Sequence, residues 1–345
     1  MKLREKITDG FHLTVIPAVM LLMFALCSCN SLIYEYEGDC NYYIHFKYDY
    51  NMKWADAFSH EVHGVSLYVL DKDGNILLHK TENGEELARE GYCMALDIEP
   101  GEYDFIAWAG VEEPESFFIP DGKNKTELTA TLVREHEKDG SAHIYTDIDR
   151  LYYGSLENVR LEDNHHFTMP LMKDTNNLRI ILQHLSGEPV PEDMFTYSIV
   201  DDNGSLDWDN SVLADETITY HAWHVGSGTA VTEPESHTQN AAVKVQSTFS
   251  TALAEFTVSR LMADHAPKTR LVVRRTEDGE EIININLIDA LLLVKGYYNR
   301  DMSDQEYLDR NDEYSLTFFL DEGFRWMNSY IYINSWRVVL QNTSL

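Results

Sequence analysis

Residues 42–50 read Tyr-Tyr-Ile-His-Phe-Lys-Tyr-Asp-Tyr. Tyr42, Ile44, Phe46, Tyr48 and Tyr50 fall on one parity; Tyr43, His45, Lys47 and Asp49 fall on the other. A period of two puts the aromatic and aliphatic groups on one side of an extended chain, so this segment is expected to be a half-buried strand. The same pattern recurs between turn signals. Residues 65–70 and 75–79 flank Asp71-Lys72-Asp73-Gly74, an Asp-Gly hairpin signal. Pro100-Gly101 leads into an apolar run, residues 103–108, and further turns are marked at Pro120-Asp121-Gly122, Asp202-Asn203-Gly204 and Asp278-Gly279. Short runs between regular turns, in a chain with 20 Tyr and 14 Phe, predict a mainly β protein of antiparallel sandwiches.

At 345 residues the chain has room for about two domains. Lys173-Asp174-Thr175-Asn176-Asn177 marks the expected boundary, dividing an N-terminal sandwich, 41–174, from a C-terminal one, 175–345. Residues 287–298 and 304–310 are the helix candidates, so short helical insertions belong to the second domain. The Gly-, Ser- and Thr-rich stretch 223–240 reads as a surface loop. The chain then returns to strand, with Trp336, Val338 and Leu340 on one face and Arg337, Val339 and Gln341 on the other.

Residues 1–28 form a processing segment, outside the fold. Lys2, Arg4 and Lys6 precede an apolar run from Leu13 to Leu26, which is short for a membrane span. The run ends in Leu26-Cys27-Ser28-Cys29, which resembles the lipobox of bacterial lipoproteins, with Cys29 as the residue that takes the diacylglycerol. A secretory signal cut nearby, or an uncleaved anchor helix, are the plainer alternatives. Asn30 in place of an Asp after the lipidated Cys favours the outer membrane. Glu35, Glu37 and Asp39 then make residues 29–40 an acidic tether. Only Cys40 and Cys93 remain. A bridge between them would contribute roughly 4 kcal/mol on a chain-entropy argument; two buried free thiols are the other reading, and both stay open.

Charge and motifs narrow the function. Lys+Arg 27 against Asp+Glu 58 gives a net charge of -31, which repels phosphate backbones and argues against nucleic-acid binding. Lys268, Arg270, Arg274 and Arg275 read as a solvated strand face. His60-Glu61-Val62-His63 is one residue short of the H-e-x-x-H zinc helix. Asp71-Lys72-Asp73-Gly74-Asn75 has its Gly too early for a calcium loop, and His165-His166 reads as a solvated pair in an acidic loop. No nucleophile elbow, phosphate loop or dinucleotide fingerprint occurs, and the many acidic pairs offer no distinct catalytic dyad. The expectation is a protein that is not an enzyme and has no cofactor and no metal site.

Several blocks resemble a known family. Tyr48-Asp49-Tyr50-Asn51-Met52, Asp56-Ala57-Phe58, Glu61-Val62 and the run Val65-Ser66-Leu67-Tyr68-Val69-Leu70-Asp71 are similar to the fimbrillin-A-associated anchor family, FimB-type minor subunits of the type V pili of Bacteroidia. Pro100-Gly101-Glu102-Tyr103, Ala107-Trp108-Ala109-Gly110, Ser259-Arg260-Leu261 and Ile333-Asn334-Ser335-Trp336 fit as well. The resemblance implies two transthyretin-like sandwiches in a lipid-anchored pilus component. It also implies strand addition to fimbrial shaft subunits and, in shaft subunits, release of the first strand by an Arg-directed protease. Here no Arg stands between Arg4 and Arg89. The first strand is therefore expected to be retained, which would end the fibre at the outer membrane. Trp336, Val338 and Leu340 then mark the candidate joining strand, with the last strand of the second sandwich as the plainer reading. The alternative function is a surface adhesin or glycan-binding module at the fibre tip, with Trp208 and Trp223 as its exposed aromatics.

Overall fold

The computed structural model describes residues 42–111, 116–161, 165–232, 247–266, 268–296, 299–327 and 330–339. The sequence divides into two units, Met1–Asp39 and Cys40–Leu345; the second holds every element below. Along the first half run β1 (Tyr42–Lys47), helix α1 (Phe58–Glu61), β2 (Gly64–Leu70), β3 (Ile76–Asn83), β4 (Met94–Leu96), β5 (Gly101–Ala109) and β6 (Phe117–Phe118). Then come β7 (Ala130–Leu132), β8 (Glu135–His136), β9 (Ala142–Ile144), β10 (Tyr152–Leu161), β11 (His165–Pro170) and β12 (Met172–Lys173). The second half carries β13 (Thr175–His184), β14 (Phe195–Asp201), β15 (Ser205–Leu206), β16 (Ile218–His221), β17 (His224–Thr232) and β18 (Ser247–Ser259). It closes with β19 (Arg270–Arg275), β20 (Glu281–Asn286), α2 (Leu287–Leu292), α3 (Asp304–Arg310), β21 (Glu313–Leu320), β22 (Tyr330–Ile333) and β23 (Trp336–Val339). The mainly β class read from the sequence holds.

The β2–β3 hairpin forms where Asp-Gly predicts it. The Asp71 carboxylate accepts from the backbone N–H groups of Asp73 and Asn75 at 2.9 and 2.8 Å, and Gly74 takes φ 80°. These bonds use the Asp71 oxygens within the turn, as Asx chemistry does. The hairpin belongs to a five-stranded sheet ordered β12-β10-β5-β2-β3. Both faces of its centre are buried. Val65, Leu67, Val69, Phe105, Ala107 and Ala109 pack into one core, while Tyr68, Leu70, Ile106 and Trp108 pack into another. That is why residues 65–70 are almost continuously apolar rather than alternating.

Against the first face lies a three-stranded sheet, β11-β1-β4. The second core runs on into the C-terminal sandwich, built from six-stranded sheets ordered β17-β18-β13-β21-β22-β23 and β20-β19-β14-β16-β9-β8. Residues before the expected boundary help to complete that sandwich. β9 pairs in parallel with β16, from Ala142 opposite Ile218 to Ile144 opposite Tyr220, and β7 pairs with β15. The half-buried Arg134–Asp215 ion pair, 2.8 Å, ties this crossing together. A cut at 174 therefore separates the halves in sequence but divides strands that share a sheet.

Three local readings change. The stretch beginning at Trp223 is not all loop: β17 occupies residues 224–232 and pairs residue for residue with β18, whose partner ladder supplies hydrogen bonds that Gly- and Ser-rich composition does not advertise. His165 and His166 begin β11 and so lie on a strand, not in an acidic loop. Helix α2 stops at Leu292, capped at its start by the Asn286 side chain, and Gly296 follows with φ 61°. Helix α3 matches its expected span, with Ser303 Oγ accepting from the Glu306 N–H at 3.0 Å. Among the described residues no helix is long and apolar enough to cross a membrane.

Candidate functional site

The strand predicted from residues 42–50 is the central strand of its sheet. β1 runs parallel to β11, from Tyr42 opposite His165 to Lys47 opposite Pro170, and antiparallel to β4, from Tyr42 opposite Leu96 to Ile44 opposite Met94. Its side chains alternate as the sequence requires. Tyr42, Ile44, Phe46 and Tyr48 are at most 5% exposed, whereas Tyr43, His45 and Lys47 stay half-buried on the outer face. Phe46 stacks on Phe58 at 5.7 Å, and Tyr48 meets Tyr152 edge-on at 5.1 Å. On the outer face Tyr43 stacks on His166 at 4.9 Å, while His45 Nε2 lies 3.1 Å from His166 Nδ1. Burying these four apolar side chains is worth about 6–12 kcal/mol at ~1.5–3 kcal/mol each. β1 thus fills a slot whose two walls are strand edges.

The chain leaving β1 is fastened to the C-terminal half. Asp56 Oδ1 accepts the N–H groups of Tyr48 and Phe58, both at 3.0 Å, and the buried Asn51 amide donates to the carbonyls of Tyr48 and Ala55. Met52 N–H reaches the Arg310 carbonyl at 3.0 Å. The Arg310 guanidinium sits over the rings of both Tyr50 and Trp54, 3.9 and 4.3 Å from their centroids. Below this, Lys173 Nζ bridges Glu61 Oε2 at 3.1 Å and Asp312 Oδ2 at 2.6 Å, and Tyr152 donates to the same Glu61 oxygen. Next to it Arg260 makes a two-pronged pair with Asp309, 2.9 Å on each oxygen, and donates to the Asn210 carbonyl. Asp174 is fully buried and accepts from the Asn210 amide at 3.0 Å. Burial pushes its carboxyl up to about 7, a rise that Arg260 and the Asn210 bond hold in check. Burial, followed by neighbouring carboxylates, also raises the phenols of Tyr48 and Tyr152 far above their ordinary range.

Other candidates from the sequence fall elsewhere. Cys29 and Cys40 lie outside the described residues. Cys93 is a half-buried free thiol, which burial shifts toward the protonated form. Trp336 and Val338 are on β23, the last strand of its sheet; Leu340 lies outside the described residues. The β22–β23 connection is a two-residue turn in which Asn334 and Ser335 take φ 48° and 69°, as a tight hairpin demands. Trp208 does not serve as a free aromatic: the Lys125 ammonium stands 4.0 Å over its ring, and its carbonyl accepts from the Tyr153 hydroxyl. Trp223 is 38% exposed. A groove of about 690 Å³ opens elsewhere on the second sandwich, lined by Pro191, Met194, Arg275, Phe324 and Arg325 among others. Sequence reasoning missed Lys173, Asp174, Arg260, Asp309 and Asp312 as a network. In the sequence Ser259-Arg260-Leu261 stands out only as a block similar to the anchor family.

Comparison with known proteins bears on this arrangement. Residues 36–342 match the family described as fimbrillin-A associated anchor proteins Mfa1 and Mfa2. The minor fimbrium anchoring subunit Mfa2 of Porphyromonas gingivalis is 24% identical over 288 residues, covering 80% of each chain. Among solved structures, a putative adhesin of Bacteroides thetaiotaomicron superposes with a TM-score of 0.76 at 34% identity, over 88% of this chain and 100% of that one. A protein of the same organism described as putative polysaccharide binding gives 0.73 at 31%, over 89% and 100%. The fimbrial anchor protein Mfa2 of P. gingivalis, at 19% identity, shares the fold with a TM-score of 0.59 over 87% and 99%.

Proposed function

The chain belongs to the fimbrillin-A associated anchor protein family, and from that premise we propose that it is the lipid-anchored base of a cell-surface fimbria. It would hold the fibre to the outer membrane through Cys29 and join shaft subunits by strand addition. One observation carries this reading: β1 sits hydrogen-bonded on both sides, in a chain with no arginine between Arg4 and Arg89. An Arg-directed protease therefore has no site close to the strand on either side. A filled slot offers no edge to a donor strand, so fibre growth stops on that side. The joining contact would then fall to another edge, and β23, last in its sheet, is the candidate.

The test is the intact mass of the protein extracted from native outer membranes. Acylated Cys29 followed by residues 30–345 is the expected species. A mature chain that begins beyond Tyr50 overturns the proposal. In a deletion strain, fibres should appear in the medium; fibres that stay on the cells but bind surfaces poorly would move the protein to the tip.

A tip adhesin or glycan-binding module is the second reading. It draws on the 690 Å³ groove, whose lining includes Phe324, Arg275 and Arg325, and on the relative described as putative polysaccharide binding. Aromatic faces with planar hydrogen-bonding groups suit sugar rings. Glycan-array binding that is lost in Phe324→Ala would favour it.

A further inference from the structure

β14 ends at Asp201, and the turn Asp202-Asn203-Gly204 follows directly. Packed against this end is a single 3-10 turn, Ala263–His265. Here Asp201, Asp202 and His265 bring one carboxylate oxygen each and one ring nitrogen to within 4.8 Å of one another. His265 Nδ1 stands 2.9 Å from Asp201 Oδ1 and 3.1 Å from Asp202 Oδ1. We propose that these three side chains bind a divalent first-row metal ion, with Zn²⁺ as the ion the donor set suits.

The distances support this. Donor atoms about 2.1 Å from a common ion lie about 3.0–3.4 Å apart in octahedral or tetrahedral geometry; the ring nitrogen is already 2.9 and 3.1 Å from the two carboxylate oxygens, and all three donors lie within 4.8 Å. The outer carboxylate oxygens are already engaged. Thr269 Oγ1 donates to Asp201 Oδ2 and Lys268 Nζ to Asp202 Oδ2, each at 2.8 Å, which orients the inner oxygens toward the centre. Asp201 Oδ1 also accepts the Asp202 N–H. Asp202 Oδ1 is a buried atom whose near polar neighbour is His265 Nδ1 at 3.1 Å, with no hydrogen bond closing on it. Asp201 is 2% exposed, while the His265 and Asp202 side chains are 13% and 24% exposed. Solvent can therefore complete the coordination from one side only. Two carboxylate oxygens with one imidazole suit Zn²⁺ better than Ca²⁺, which prefers oxygen throughout.

Without metal, the two carboxylates face the His265 ring and Lys268, and Asp264 is the remaining nearby acid. An ion would replace the Nδ1 proton and add positive charge to a chain whose net charge is -31. It would tie the 263–265 turn to the end of β14. Neighbouring Asn203 already donates to the carbonyls of Ser259 and Arg260 at 3.1 and 3.0 Å, so the ion would brace the strand end that carries Arg260.

The test is calorimetric titration with Zn²⁺ of the mature chain, made without a histidine tag and stripped with chelator. Asp202→Asn and His265→Gln should each bind one equivalent less than the unaltered chain. His221→Asn, at the His143–His221 contact of 2.9 Å, should keep that equivalent. Lys268→Met retains all three donors, so it should keep the equivalent. At a hundredfold excess over Kd the melting temperature should rise by about 5 °C. An unchanged stoichiometry in folded Asp202→Asn, a lost equivalent in folded Lys268→Met, or no binding by the unaltered chain overturns the proposal.

Discussion

Removing β1 is the perturbation that tests the slot most directly. A chain that begins at Asn51 loses Tyr42, Ile44, Phe46 and Tyr48, all at most 5% exposed, and uncovers the facing edges of β11 and β4. At ~1.5–3 kcal/mol per buried side chain the loss is about 6–12 kcal/mol. That is comparable to the whole stability of a typical domain, about 5–15 kcal/mol. The first sandwich of the truncated chain should therefore lose its cooperative melting transition and bind hydrophobic dye. A synthetic peptide of residues 41–50 should restore the transition; the same burial converts to dissociation constants of roughly 40 µM to 2 nM. A peptide carrying Ile44→Asp and Phe46→Asp should fail, and the intact chain should bind neither. Circular dichroism melts and titration with labelled peptide give the readings. A truncated chain that melts within about 2 °C of the intact one would falsify the claim that β1 fills a structural slot, since the burial lost predicts a far larger shift.

Other predictions concern the fastening. Gly110 has φ 87°, and an added Cβ would collide with the Arg150 carbonyl; Gly110→Ala should cost about 2–4 kcal/mol by denaturant unfolding. Lys173 is 5% exposed between two carboxylates. Lys173→Met leaves Glu61 and Asp312 facing each other, and should cost about 3–5 kcal/mol in the same assay. Asp174 has its folded pKa raised to about 7, so the folded chain holds its proton more tightly than the unfolded one. The associated stability is fully present below pH ~4 and is lost as pH rises through ~7, by up to about 4 kcal/mol. Asp174→Asn should remove this component, which is read as the difference in unfolding free energy between mutant and unaltered chain at pH 5 and pH 8. A difference that does not change with pH contradicts the reasoning.

What could be read from the sequence was what repeats locally. Tyr42 to Tyr48 alternate because one face of β1 is buried, and that periodicity needs no knowledge of the partner strands. Ser303 and Glu306 announce α3, and Asp71 with Gly74 announces the β2–β3 turn, because the chemistry lies within four residues. The network that holds β1's exit is invisible for the opposite reason. Glu61, Lys173 and Asp312 are 112 and 139 residues apart along the chain, and each carboxylate is one among 58 acidic residues. β17 is hidden in the sequence because its Gly, Ser and Thr residues carry no amphipathic signal, and its pairing depends on the ladder of β18. The boundary at 174 follows composition, but composition cannot register β9 adding itself to β16.

The placement of β1 also has a mechanical side. A pull on residue 41 directed along the strand meets its ladders with β11 and β4 in shear. The hydrogen bonds on both sides are then loaded together rather than opened one after another. A terminal hairpin peeled from its end would yield bond by bond at low force, whereas a central strand gives way only when its whole register slips. If the tether lies on that side and the fibre's load enters through the second sandwich, the force passes through the Arg310 stack and the Lys173 bridge before it reaches the strand. The chain would then hold most firmly at the place where a growing fibre is dragged by flow.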